Sequence, residues 1–300
     1  MAPTPPSPAP APSPGTARDV TDPADPPRRQ APRLVATDLD GTLLRRDGTV
    51  SERTRAALAR VEAAGATLVF VTGRPPRWLA PVVEQTGHKG LAVCANGAVL
   101  YDLHTERVVR EHLLEPEAAV SLVQALRASL PDVAFAVERA VGTGGGVDAS
   151  GFAHEPEYVI RYPLPDGVLV AAAEELVTSP VVKLLARHER LGPDDLLARA
   201  REVVGDLANL THSSHDGLIE ISASGVSKAS GLAALAEEQG VTAEDVVAFG
   251  DMPNDLPMLD WSGHAVAVAN AHPEVLAVVD EVTASHEEDG VARVLERLFP

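Results

Sequence analysis

Apolar and polar positions follow two alternating periods from residue 33 onward. Short apolar runs bounded by turn-forming residues predict strands over Leu34–Thr37, Thr67–Val71 and Leu91–Ala95. The stretches between them, 51–64 and 75–86, predict helices, because Ser51 suits a helix cap and the two prolines that open the second stretch are tolerated in a first helical turn. This strand–helix order predicts an α/β fold, a doubly wound parallel sheet with helices on both faces.

The same rhythm resumes near the end of the chain. Ser227 is suited to cap a helix that continues to about Gln239. Further elements are predicted as strands over Val246–Phe249 and Ala265–Ala269, and as helices from Pro273 and over residues 290–298. The two ends of the chain therefore build one α/β domain.

The middle of the chain, residues 113–222, has a different character. Helices are predicted to begin near Pro116 and Pro193, and strands are predicted over Val133–Val137, Val181–Ala186 and Leu218–Ile221. We interpret this segment as an α+β module, called the cap below, inserted into the α/β domain. The predicted catalytic core is then residues 32–112 plus 223–300.

Residues 1–31 are rich in proline, alanine and serine. Such a segment cannot bury enough apolar surface to offset its ordering entropy, so we expect a disordered tail with local polyproline II character. A Pro-x-x-Pro pattern within it could dock a partner, but a tail without a specific partner is the interpretation we favour.

Charge and composition exclude several classes of protein. The net charge of the 300-residue chain is −18, which disfavours a nucleic-acid partner because duplex binding relies on Lys and Arg. The single cysteine, Cys94, excludes an intramolecular disulfide. No apolar run approaches the ~20 residues that cross a bilayer, and no secretory signal is recognisable. We expect a cytoplasmic protein with no membrane partner.

Acidic side chains follow two of the predicted strands. Asp38 and Asp40 come directly after the first strand, in Asp-Leu-Asp-Gly-Thr-Leu, and Asp251 and Asp255 follow the strand that ends at Phe249. The carboxyl ends of the strands are where ligands bind in a doubly wound fold. Clustered carboxylates there repel each other unless a cation compensates them, so a hard divalent cation is the natural companion.

Phosphate-binding groups follow in two further places. Thr72, Gly73 and Arg74 come after the second strand, and their hydroxyl, backbone N–H and guanidinium groups are all donors to phosphate. Lys228 lies at the start of the helix that Ser227 caps, where anions are preferred and a lysine is favourable only with an anionic ligand nearby. Each motif alone is equally well explained as a turn, a helix cap or a surface lysine.

Together and in this order, the motifs resemble those of the haloacid dehalogenase (HAD) superfamily of phosphohydrolases. The matching segments are "DLDGTLL", "VTGR", "GVSK" and "GDMPNDLPML", and the resemblance covers nearly all of residues 33–299. The insertion between Arg74 and Lys228, with "NGAVLYD" at 96–102, looks like the Cof-like subgroup. Many members have glycine where this chain has Met252. The resemblance implies a HAD-like Rossmannoid core carrying a cap domain.

The resemblance also implies a role for each matching residue. Asp38 would be the nucleophile that becomes an aspartyl phosphate, and Asp40 the general acid and base. Mg²⁺ would be held by Asp38, the backbone carbonyl of Asp40 and Asp251, with Asp255 in or beside the shell. The remaining residues would contact the phosphoryl group or the rest of the substrate: Thr72, Gly73, Arg74, Asn96, Lys228 and Asn254.

The implied function is hydrolysis of small phosphomonoesters, such as sugar phosphates or phosphorylated cofactors. A phosphomutase or phosphotransferase could share these motifs and differ only in the acceptor of the phosphoryl group. A non-catalytic protein that binds a phosphate ligand is disfavoured, because a structural role does not require the full acidic set.

The sequence of the cap suggests a lid. The glycine-rich stretch 142–152 is followed by His154, Glu155, Tyr158 and Arg161, which could close over a substrate or merely line a solvated surface. Trp78 is expected to be a packing residue. His212, His215 and Asp216 lie close in sequence, but without a helix to align them they do not predict a zinc site.

Overall fold

The structure is a computed structural model that describes residues 31–142, 151–164 and 166–300. The predicted Pro-rich tail, apart from its last residue, and most of the glycine-rich stretch 142–152 lie outside these ranges. The described residues from 31 to 300 form one compact unit, which holds two sheets.

The larger sheet has eight strands. They are β1 (Leu34–Thr37), β2 (Thr67–Val71), β3 (Leu91–Cys94), β4 (Val99–Asp102), β5 (Arg107–Glu111), β12 (Val246–Gly250), β13 (His264–Val268) and β14 (Glu281–Thr283). Their spatial order is β14-β13-β12-β1-β2-β3-β4-β5. All neighbours from β14 to β3 are parallel, with Leu34 opposite Val246 on one side and Thr67 on the other.

The strands β4 and β5 extend this sheet in the antiparallel direction, which the sequence analysis did not predict. The loop from β4 to β5 is too short for a parallel crossover, which needs a dozen or more residues. Asp102 closes it, because its carboxylate accepts hydrogen bonds from the backbone N–H groups of His104 and Thr105. The sheet is therefore mixed at this edge.

In the described ranges, six helices cover the two faces of this sheet. They are α1 (Glu52–Ala63), α2 (Ala80–Thr86), α6 (Lys228–Glu238), α7 (Leu256–Trp261), α8 (Pro273–Leu276) and α9 (Gly290–Leu298). Val35 packs with α1 and α9 on one face, whereas Leu34 and Ala36 pack with α6 and α7 on the other. Because side chains alternate along a strand, the apolar run of residues 34–36 makes β1 buried on both faces, as is usual for a central parallel strand.

The helix predicted over 75–86 is divided in the structure. A short 3₁₀ turn spans Pro76–Trp78, and α2 begins only at Ala80. Pro81 lacks a backbone N–H and therefore cannot continue a helix from the preceding turn, but it is tolerated at the start of a new one. The prediction of one continuous helix was wrong for this reason.

The smaller sheet, called the cap sheet below, has six strands. They are β6 (Ala134–Arg139), β7 (Phe152–His154), β8 (Leu169–Val170), β9 (Val181–Arg187), β10 (Ala208–Thr211) and β11 (Leu218–Ala223), in the order β10-β11-β9-β6-β7-β8. The helices α3 (Pro116–Ser129), α4 (Ala173–Leu176) and α5 (Pro193–Val204) pack on one face. The opposite face carries Ala136, Phe152, Tyr158 and Leu185. Among the described residues, no helix combines the length and apolarity that crossing a membrane requires.

Candidate active site

The predicted site residues follow four neighbouring strands of the larger sheet. Asp38 follows β1, Thr72 follows β2, Asn96 follows β3 and Asp251 follows β12. Because these strands are adjacent and parallel, their carboxyl ends meet at one edge. The sheet therefore brings together residues that are far apart in the sequence.

Three buried carboxylates form the centre of this site. Asp38, Asp251 and Asp255 each offer an oxygen within 4.8 Å of the others. Nζ of Lys228, at the start of α6, donates to Asp38 Oδ1 at 2.5 Å and to Asp255 Oδ1 at 2.6 Å. Thr42 donates its hydroxyl to Asp251 Oδ1 at 2.8 Å. One ammonium group thus pairs with two of the three carboxylates, and Asp251 is held by Thr42.

The second oxygen of Asp255 also accepts hydrogen bonds from the protein. Oδ2 accepts the backbone N–H groups of Asp251 and Met252, both at 3.0 Å. Asp255 therefore fixes the loop after β12 and holds Lys228. The second oxygen of Asp251, Oδ2, lies beside Gly41. A Cβ at Gly41 would lie 2.4 Å from that oxygen, so only glycine permits this approach, at a φ of +80°.

The crowding of negative charge changes the ionisation of these groups. Burial raises the pKa of Asp38 well above its ordinary value, and the charges of Asp255 and Asp251 add to that effect against the opposing charge of Lys228. Burial, followed by the charge of Asp255, raises the pKa of Asp251 to about 7. Burial alone would lower the pKa of Lys228, but the two carboxylates that it contacts outweigh burial and raise it.

Asp40 is more exposed than Asp38 and is paired with Arg74. The guanidinium donates through Nε to Asp40 Oδ2 at 2.7 Å and through a terminal nitrogen to Asp40 Oδ1 at 2.5 Å. The Asp40 side chain is 57% exposed, whereas that of Asp38 is 7% exposed. The two carboxylates of this motif thus stand in different environments, one buried and one open to a substrate.

The amides of Asn96 and Asn254 join the loops of the site. Asn254 Nδ2 donates to Asn96 Oδ1 at 3.0 Å, and Asn96 Nδ2 donates to Glu220 Oε2, on β11 of the cap sheet, at 3.0 Å. Ala95 and Asn96 both have positive φ, of 49° and 56°. Strained backbone of this kind clusters at binding sites, where the surroundings hold it in place.

A family model described as haloacid dehalogenase-like hydrolase matches residues 35–295. The chain belongs to the haloacid dehalogenase-like hydrolases. The resemblance to this family, drawn from the motifs, is thereby confirmed. The similarity to the two bacterial phosphatases given below confirms the Cof-like subgroup and the identification of the chain as a phosphohydrolase.

Two relatives and one solved structure illustrate the similarity. The chain is 30% identical over 271 residues to the 5-amino-6-(5-phospho-D-ribitylamino)uracil phosphatase YitU of Bacillus subtilis. The matched region covers 89% of this chain and 98% of that protein. It is also 30% identical over 275 residues to the pyridoxal phosphate phosphatase YbhA of Escherichia coli, with coverages of 88% and 97%. A HAD phosphatase structure from Bacteroides thetaiotaomicron matches with a TM-score of 0.74 at 23% identity, over 91% of this chain and 97% of that one. That likeness confirms the fold, an α/β core with a cap.

The acidic centre of this haloacid dehalogenase-like hydrolase could hold a divalent cation. The donor set is made of carboxylate oxygens, which hard cations prefer. One ammonium leaves two of the three buried negative charges uncompensated. Burial raises the pKa of Asp38 and of Asp251, and repulsion between the carboxylates adds to that effect. A bound cation would remove the deficit, so the residues fit the metal.

A cavity of about 280 Å³ opens above the acidic centre, between the core loops and the face of the cap sheet that carries no helices. Asp38, Asp40 and Arg74 line its floor, and Tyr158, Arg161, Tyr162 and Arg187 line its cap side. Of the four residues considered for a lid, Tyr158 and Arg161 are in this lining. His154 and Glu155 are not in it, and Glu155 binds Arg127 and the backbone N–H groups of Phe135 and Ala173 inside the cap.

The sequence analysis did not predict the place of several residues at this site. Trp78 was expected to be a packing residue, but it is 37% exposed, lines the cavity and contacts the ring of Tyr162 at a centroid distance of 5.0 Å. Lys183 and Glu220 are charged residues inside predicted strands, and that placement is the signal that could have revealed them. The sequence did not predict a zinc site at His212, His215 and Asp216. In the structure, a ring nitrogen of His212 lies 2.8 Å from Asp194 Oδ1.

Proposed function

We propose that this chain is a Mg²⁺-dependent phosphatase that hydrolyses small phosphomonoesters through an aspartyl phosphate on Asp38. The observation that carries the proposal is the position of Asp38, a buried carboxylate held by Lys228 at the floor of the cavity and beside two further carboxylates. A carboxylate so fixed is oriented for in-line attack on a phosphorus atom bound above it.

The reaction has two displacement steps. In the first, an oxygen of Asp38 bonds to phosphorus, the bond from phosphorus to the ester oxygen breaks, and Asp40 gives its proton to the leaving alcohol. In the second, water attacks the same phosphorus, Asp40 takes a proton from that water, and the bond to Asp38 breaks to release inorganic phosphate. Asp40 suits both proton transfers because it lies at the cavity floor with a largely exposed side chain.

The positive and polar groups of the core bind the transferring phosphoryl oxygens. Lys228, the Thr72 hydroxyl and the backbone N–H of Gly73 are the donors that we assign to this task. The residues that would hold Mg²⁺ are Asp38, the backbone carbonyl of Asp40, and Asp251, with Asp255 fixing the loop. When bound, Mg²⁺ supplies positive charge between the nucleophile and the phosphate, which otherwise repel each other.

The cavity supports a small metabolite as substrate. A volume of about 280 Å³ holds a single sugar or ring beside the phosphoryl group, not a polymer. The two relatives above are named as phosphatases of 5-amino-6-(5-phospho-D-ribitylamino)uracil and of pyridoxal phosphate, and sugar phosphates fit the same space. Purified protein with Mg²⁺ should therefore release inorganic phosphate steadily from at least one member of a panel drawn from these classes.

The same assay distinguishes the alternatives. A phosphotransferase or phosphomutase would move the phosphoryl group to a second hydroxyl with little free phosphate released. A binding protein would bind panel members without turnover. Either result would refute the proposed hydrolysis.

Asp251 gives a direct test of the metal. The Asp251→Ala protein should need at least roughly tenfold more Mg²⁺ for half-maximal activity, because a metal ligand is lost. Asp260→Ala is the matched control, since Asp260 is an exposed acid at the end of α7 and lies outside the acidic centre. The Mg²⁺ dependence of turnover is the measurement. Full activity of the unaltered protein in excess chelator would refute the metal model.

Metal binding should also stabilise the fold in a pH-dependent way. Because the pKa of Asp251 is raised to about 7, ionising this group costs stability, and that cost appears as the pH rises from about 4 to about 7. Mg²⁺ competes with protons for the site, so its stabilising effect should be larger at about pH 8 than at about pH 5.5. Melting temperatures with and without Mg²⁺ measure this. An equal shift at both pH values would contradict the prediction.

A further inference from the structure

Two charged side chains of the cap sheet reach into the core loops of the active site. Lys183 lies on β9 and Glu220 on β11, and each side chain is only 5% exposed. Nζ of Lys183 donates to Glu220 Oε2 at 2.5 Å and to the backbone oxygen of Gly73 at 2.8 Å. The cap therefore holds the loop after β2 directly, through a buried ammonium group.

Glu220 continues the connection to a second loop. Its Oε1 accepts the hydroxyl of Ser213 at 2.5 Å, and its Oε2 accepts the side-chain N–H of Asn96 at 3.0 Å. Asn96 in turn accepts from Asn254, in the loop that carries Asp251. One chain of hydrogen bonds thus runs from the cap sheet to the loops after β2, β3 and β12.

The peptide between Gly73 and Arg74 is held at both of its polar atoms. Its carbonyl oxygen accepts from Lys183, and its N–H donates to the Thr72 hydroxyl at 3.0 Å. Thr72 and the N–H of Gly73 are the groups that we assign to the phosphoryl oxygens. A shift of this peptide would move both donors, and a misplacement of about 1 Å in such groups can cost roughly 100-fold in rate.

Stability does not account for this arrangement. A buried ion pair pays a desolvation penalty that can exceed its Coulombic gain, so a pair of apolar side chains would serve the cap–core contact at least as well. Burial opposes ionisation of Glu220, yet Lys183 outweighs it and keeps the pKa of Glu220 below its ordinary value. Glu220 therefore stays ionised, and its hydrogen bonds with Lys183, Ser213 and Asn96 fix its geometry.

We propose that Lys183 and Glu220 are positioning residues, through which the docked cap fixes the phosphate-binding loop 72–74 and Asn96 in their active geometry. The proposal rests on the proposed phosphatase function. It means that the cap does more than select substrates, because it also completes the site in which every substrate reacts.

The test uses a double variant, Lys183→Met with Glu220→Gln. Both charges are removed, so no unpaired buried charge remains to unfold the protein, and the glutamine can still accept from Asn96. We expect kcat to fall by about 10- to 100-fold, the usual effect of losing residues that orient the groups touching a substrate. The loss should be similar for p-nitrophenyl phosphate and for larger substrates, with little change in KM or in substrate ranking.

A second cap–core ion pair supplies the matched control. Arg77, in the turn after β2, donates to Glu138 on β6, with one of the two contacts at 2.8 Å. This pair joins the same two parts of the fold, and in the described part of the chain its hydrogen bonds reach neither Gly73 nor Asn96. The double variant Arg77→Met with Glu138→Gln should therefore lose much less kcat on p-nitrophenyl phosphate. An equal loss would assign the effect to cap docking in general and overturn the proposal.

A readout without turnover separates this proposal from the proposed function. Hydrogen–deuterium exchange of a peptide that covers residues 68–76 includes the amide of Arg74, which donates to Thr72, and leaves out Arg77. Exchange should be faster in the Lys183/Glu220 variant and nearly unchanged in the Arg77/Glu138 variant. Unchanged exchange in the first variant would refute the positioning role, whether or not the panel contains the true substrate.

Discussion

The Asp38→Asn protein should lose turnover by roughly 10⁴-fold or more, the scale of loss seen when a covalent nucleophile is removed. The amide of asparagine is nearly the same size as the carboxylate, so the hydrogen-bonding geometry changes little. It is a poor nucleophile, however, and a poor ligand for a hard cation. Steady release of inorganic phosphate from the best panel substrate, measured with saturating Mg²⁺, checks this expectation.

The fold should survive this substitution. Burial and the neighbouring carboxylates raise the pKa of Asp38, so its ionised form costs stability above that pKa. A neutral side chain removes this cost, and Lys228 keeps its contact with Asp255. We therefore expect the melting temperature without Mg²⁺ to be unchanged or higher at about pH 8, as when a strained active-site group is neutralised.

Asp47→Asn serves as the control for this substitution. Asp47 is an exposed carboxylate in the turn after the same motif, where it accepts hydrogen bonds from Thr49, and it lies outside the cavity lining. Its replacement should leave turnover almost unchanged. If Asp38→Asn kept more than a trace of activity in a clean preparation, another residue would have to be the nucleophile.

The sequence predicts the buried part of this fold well. The structure has β1 and β2 at the predicted residues, Leu34–Thr37 and Thr67–Val71, and α6 has its cap at Ser227. A central parallel strand is apolar on both faces and a capped helix has a marked beginning, so both leave clear local signals. The order of these elements was enough to predict the α/β fold.

The edges of the sheets left weaker signals. The strand β14 has three residues, of which Val282 is 52% exposed, and β8 has two exposed residues. Such strands show neither a continuous apolar run nor a clear alternation. They are set by pairing with a neighbouring strand, and the sequence does not specify that partner.

The candidate site was likewise predicted only in part. The motifs indicated which residues meet at the strand ends, because adjacent parallel strands bring the residues that follow them together. The contacts of Lys183 with Glu220 and Gly73 join residues 37 and 110 positions apart, and only the docking of the cap creates them. The pairing of Arg74 with Asp40 was likewise not predicted, since the sequence suggested a separate role for each. The catalytic roles themselves stay predictions.

The Asp40→Asn protein should show losses that depend on the leaving group. A sugar alcohol is a poor leaving group and needs a proton from Asp40 as its bond to phosphorus breaks, so the first displacement should slow by roughly 10²- to 10⁴-fold. p-Nitrophenolate leaves without a proton, so the first displacement on p-nitrophenyl phosphate should stay fast. The second displacement has no base to activate water in either case.

Rapid mixing of Asp40→Asn with p-nitrophenyl phosphate should therefore give a burst of p-nitrophenolate. The burst should approach one equivalent per active site, and slow turnover should follow it, because the aspartyl phosphate on Asp38 accumulates. An alkyl phosphate should give no burst. Wild-type turnover of both substrates by Asp40→Asn would require a different acid and base.

The pairing of Asp40 with Arg74 calls for one more variant. Replacing Asp40 also releases a guanidinium that the carboxylate holds through two hydrogen bonds, and the free guanidinium could disturb the cavity floor by itself. Arg74→Met breaks the same pair but keeps the carboxylate, so it should lower kcat without a burst, since the second displacement retains its base. A burst in Arg74→Met as large as that in Asp40→Asn would mean that the pair acts as a unit, and the assignment of both proton transfers to Asp40 alone would fail.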